Sequence, residues 1–184
     1  MTINLYDQAT LSMAAYAELR RGRTVDAADN LGDQEFTAEQ VTQFASRYPT
    51  VIAVHNDPVS GFQVSVFKST TGDSPGSLFV AFRGTTIPED LPTAAEIAGA
   101  GAAYNQIVAM VNWWRRVSAP KDQEVQQFRL STYSLGSAPS GAVILHSTSD
   151  SVRVLEIAPM VKATGELNQA LIIDPDNRSD ITGH

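Results

Sequence analysis

The sequence predicts an α/β fold in which an N-terminal antiparallel meander joins a parallel sheet flanked by helices. Three observations lead there. Leu78-Phe79-Val80-Ala81-Phe82 is an unbroken apolar run that stops abruptly at Arg83-Gly84-Thr85-Thr86. Such a run reads as a strand buried on both faces, and a helix-covered sheet is what buries both. Phe62 to Phe67 alternates apolar and polar residues, the pattern of a half-buried antiparallel strand. Tyr104 to Val117 repeats apolar residues at helical spacing, with Ile107, Met110/Val111 and Trp114 on one stripe.

The remaining elements follow in order. Residues 3–20 read as a helix with Leu5, Ala9, Ser12/Met13, Tyr16 and Leu19 at three- and four-residue steps, stopped near Gly22. Residues 23–35 are polar and read as a loop. Thr37-Ala38-Glu39-Gln40 is a capping box that opens a short helix through Val41, Phe44 and Ala45 to Tyr48. Thr50 to His55 is a strand, turned by Asn56-Asp57-Pro58-Val59-Ser60-Gly61 into the strand at 62–67, and loop 70–77 leads on to 78–82. Residues 87–98, with Pro88 and Pro92, read as irregular. Trp113 and Trp114 lie about 100° apart on a helix, so one is a core residue and the other half-exposed. Phe128–Tyr133 and Ala142–His146 read as strands around a Ser/Gly/Pro loop, and Val152–Ile157 as strand or helix. Gly165 to Ile173 reads as a helix ended by Asp174-Pro175, and Ser179 to His184 as a short strand.

The 184 residues suit one domain, with 118–163 as a candidate insertion. A hydrophobic content of 43% with 18% charge is that of a globular chain. The net charge of −7 disfavours nucleic acid and anionic membranes, which would repel it. Arg20-Arg21-Gly22-Arg23 and Arg115-Arg116 sit at predicted helix ends, where cations complement the helix dipole. The chain has no cysteine, so disulfides and thiolate metal sites are excluded. The N-terminal stretch shows no signal-peptide pattern, and no apolar run approaches the ~18 residues of a membrane span. No cofactor is expected, and the three histidines lack metal-ligand spacing.

The candidate site is the loop after residue 82. Gly84 lets a backbone approach a ligand, and Thr85 offers an N–H and a hydroxyl there, the equipment of an oxyanion site. A core strand followed by an ordinary turn is the competing reading. Asp174, Asp176 and Asp180 lack the glycine and terminal glutamate of a calcium loop. Asn177-Arg178-Ser179 is formally a glycosylation triplet.

Two stretches together resemble the lipase-like branch of the α/β-hydrolases, the class 3 lipases and lipase-like regions of large bacterial calcium-repeat proteins. Val80-Ala81-Phe82-Arg83-Gly84-Thr85 is similar to that family's strand and oxyanion loop. Ile181-Thr182-Gly183-His184 is similar to the strand entering its nucleophile elbow. Helices at 14–17, 36–48 and 105–117 are similar to the calcium-repeat branch, while 118–163 matches diffusely. The resemblance implies a partial α/β-hydrolase fold with Thr85 as oxyanion donor and Gly84 giving access. It places the nucleophile serine directly after His184, which would not be the catalytic base, and the triad carboxylate and histidine later still. Thr132-Tyr133-Ser134-Leu135-Gly136 imitates the elbow, but Thr132 stands where a glycine is required. His55 and His146 have no sequence pairing with Ser134 and read as ordinary strand-end histidines.

These residues imply the N-terminal part of a serine hydrolase of carboxylic esters, acyl lipids in particular, inactive by itself for want of the nucleophile. The second reading is a non-catalytic interaction module. A terminal strand from mid-sheet would expose an edge, so self-association, or pairing with a complementary C-terminal fragment, is expected. Secretion without an N-terminal signal peptide is implied by the resemblance, with a cytoplasmic location as the alternative.

Overall fold

A computed structural model describes residues 5–71, 75–84, 103–168 and 180–183. The chain forms two compact units: 1–84 with 169–184, and 85–168. The second unit therefore lies in sequence between the two parts of the first.

In the first unit, helix α1 (Leu5–Ala14) leads through tightened turns to β1 (Gly22–Arg23), helices α2 (Ala28–Gly32) and α3 (Ala38–Arg47), and strands β2 (Thr50–Asp57), β3 (Phe62–Lys68) and β4 (Leu78–Phe82). Helix α1 is shorter than the 3–20 expected, because Tyr16 and Ala17 bond the carbonyls three residues back and break the α register. Its buried stripe is Asp7, Thr10, Leu11 and Ala14, and Leu5 is exposed. A carboxylate turns inward because Arg47, at the end of α3, binds it. Residues 23–35, expected as loop, hold a 3₁₀ turn (Thr24–Ala27) and α2. The Thr24 hydroxyl anchors that turn on the Tyr48 carbonyl. The capping box of α3 forms as the residues dictate: Gln40 N–H donates to Thr37 Oγ1, and Thr37 N–H to Gln40 Oε1.

Strands β1 to β4 form an antiparallel ladder in sequence order. Phe36, Phe44, Tyr48, Phe67 and Phe79 make a chain of ring contacts with centroids 5.1–5.6 Å apart, tying α3 to the sheet. Leu78, Phe79, Val80 and Ala81 are all buried, so β4 has neither face in solvent. Strand β3 departs from its expected half-exposure, since every residue from Phe62 to Phe67 is buried. Its apolar residues Val64 and Val66 take one face. Ser65 and Gln63 share the other with Phe67, in register with Val54, Ala81 and Phe79 of the helix-covered core.

The expected partial α/β-hydrolase fold, a meander joined to a helix-flanked parallel sheet, is not what the strands build. Both sheets are antiparallel assemblies. The sole parallel register among the described residues is the four-residue pairing of β8 (Asp180–Gly183) along β4, a single added strand. A parallel sheet needs repeated crossovers. Here consecutive strands are joined by turns short enough to reverse the chain, such as 58–61, and these close antiparallel pairs instead.

The second unit has helix α4 (Tyr104–Ser118) and strands β5 (Glu124–Ser134), β6 (Val143–Ser147) and β7 (Ser151–Lys162), in antiparallel order β5-β7-β6. Residues 152–157 are strand. In α4 the buried residues are Trp113 and Val117, whereas Ile107 and Val111, expected inside, are exposed and Trp114 is half-buried. Polar anchors set this rotation: Asn112 and Arg115 bond the backbone of β5 at Phe128 and Gln126. Of the expected helix at 165–173, Gly165 is outside any regular element, Glu166 and Leu167 form a turn, Asn168 is helical, and the remainder from 169 lies outside the described residues.

Candidate functional site

Strand β4 ends at Phe82, which sits opposite Gly183 of β8. Arg83 continues the strand direction by donating its N–H to the Gln63 carbonyl at 3.0 Å, and Gly84 follows, half-buried. Thr85 and His184 lie outside the described residues, as do Asp174, Asp176 and the triplet 177–179. The backbone thus brings Gly84 and the last residue of β8 to the same end of neighbouring strands.

On the helix-covered face at that end, a cleft of about 470 Å³ opens. Asn56, Gln63 and Arg83, side by side across β2, β3 and the end of β4, line it together with Glu18, Arg20 and Asp33. Tyr16, Leu19, Asn30, Gln34 and Val54 line the rest, and Asn30 is held by a hydrogen bond to the Glu18 carbonyl. Two carboxylates and two guanidiniums balance the charge. Gln63 is 6% exposed and lines the cleft. The neighbouring Ser65 hydroxyl is buried and has no hydrogen-bond partner among the described residues. Sequence reading missed this cleft because it took Gln63 and Ser65 for the solvent side of an alternating strand.

A larger groove of about 940 Å³ runs along α2 and α3 over Val25, Phe36 and Val41 and shares Asp33 with the cleft. Arg23, Asp29, Asp33, Thr42 and Ser46 line it alongside small and apolar side chains.

The other candidate residues are structural. Ser134 ends β5 opposite Ser151, and its carbonyl accepts from Ser137 in a turn, so it stands at a hairpin end and not at a strand-to-helix elbow. His55 lies in β2 with its ring 5.9 Å from Phe62, and His146 in β6 opposite Arg153. At the β2–β3 turn, Asp57 Oδ2 accepts from the Ser60 hydroxyl at 2.7 Å and Oδ1 from Val59 N–H at 3.0 Å. Partial burial pushes this carboxyl up, but these bonds, the Ser60 amide and the nearby His55 outweigh it and hold the pKa below the ordinary value. In the second unit Glu156 accepts from Tyr133 at 2.6 Å, Ser131 at 2.7 Å and Arg129 at 2.9 Å. Those donors lower its pKa, and the same bond raises that of Tyr133.

No known protein family, curated protein or solved structure matches this chain. Among the described residues, no helix is long and apolar enough to cross a membrane.

Proposed function

We propose that this chain is part of a lipase-like serine hydrolase of carboxylic esters and supplies the oxyanion side of its site. The observation that carries the reading is the register Phe82 opposite Gly183, which sets the backbone of Gly84 beside the end of β8. In this reading the Thr85 N–H, reached past Gly84, holds the oxyanion that develops when a nucleophile attacks the ester carbonyl. The nucleophile is a serine directly after His184 in a longer product of the gene. Export without an N-terminal signal belongs to the same proposal.

The test uses a chromogenic short-chain ester with two proteins: this 184-residue chain, and a longer gene product carrying that serine. The short chain is expected at background, and the longer one active and labelled by a fluorophosphonate. Thr85→Pro, which deletes the N–H, should lower its kcat ~10²–10³-fold. Turnover by the short chain removes the claim of a missing nucleophile, and a longer product without label removes the hydrolase reading.

A second reading has its own observation. Strand β8 is last in the order β1-β2-β3-β4-β8, so its outer side pairs with no strand among the described residues. Such an edge is a template for another strand, from a second copy or a complementary C-terminal fragment. Light scattering should then give a mass above that of one chain, and a monodisperse monomer would count against it.

A further inference from the structure

We draw no further inference here: the strongest candidate, the apolar surface patch that Val143 and Ile144 of β6 and Ile157 and Met160 of β7 expose on the three-stranded sheet, carries nothing because nothing in the structure shows what covers it.

Discussion

Asn112 holds Phe128 at both ends of its peptide groups. Its Nδ2 donates to the Phe128 carbonyl and its Oδ1 accepts from the Phe128 N–H, each at 2.8 Å. Arg115 Nε donates to the Gln126 carbonyl at 2.7 Å one turn further along α4. Strand β5 is an edge strand, and these side chains occupy the groups that would otherwise invite another strand. At the opposite edge, β6 is interrupted between Ile144 and His146, and the Leu145 carbonyl accepts from the Tyr104 hydroxyl at 3.2 Å.

Asn112→Leu should therefore release both Phe128 groups and cost about 2 kcal/mol. Denaturant unfolding of the full chain reads the loss, and size-exclusion chromatography should show increased association. An unchanged midpoint would mean that packing alone holds α4.

The ion pair of Asp7 and Arg47 makes a second prediction. Asp7 is 1% exposed and Arg47 30%, and the pair joins helices forty residues apart. Asp7→Ala leaves a guanidinium facing an apolar layer and should cost about 3 kcal/mol, the low end for a buried pair because Arg47 is partly solvated. Asp7→Leu with Arg47→Met should recover most of it. A double variant no better than the single would show that geometry, not charge burial, is at stake.

Gly165 predicts a third outcome. Its φ is +68°, and an added Cβ would lie 2.7 Å from the Lys121 backbone nitrogen. Backbone cannot yield as a flexible side chain can, so Gly165→Ala combines left-handed strain with a clash and should cost ~2 kcal/mol or more. Thermal unfolding of the variant measures it.

Acid stability supplies the fourth. The folded Asp57 carboxyl has a pKa below its ordinary 3.8, so its contribution is complete above that value and is lost as pH falls through the lower folded one. Glu156 behaves alike below its ordinary 4.5, through the bond from Tyr133 first and then those from Ser131 and Arg129. Carbon-detected NMR titration should place both carboxyls below their ordinary values. Tyr133→Phe should move Glu156 upward, and a Glu156 titration unchanged by it would refute the assignment.

Local chemistry was legible in the residues. The capping box of Thr37 and Gln40 needs only a four-residue window, and the stop after Phe82 is visible in Arg83-Gly84. The cleft at the end of β4 was not legible in the sequence. Its parts, Glu18, Asn56 and Gln63, come from segments that only folding brings together.

What the amino-acid order determined by itself is most of the local elements, such as the start of α3 at Thr37, the strands at 50–55, 62–67 and 78–82, and the turn at 56–61, but neither the helical turns within 23–35 nor the strand at 152–157. These depend on neighbours a few positions away. Only the tertiary structure decided which side of each element faces inward, and that both sheets are antiparallel save for β8. Alternation along β3 defines two faces but not which one meets the helices, so Gln63 and Ser65 could be placed under them only by the packing of α1 and α3. In α4, likewise, the distant backbone of β5 sets the rotation through Asn112 and Arg115, overriding the apolar stripe of Ile107 and Val111.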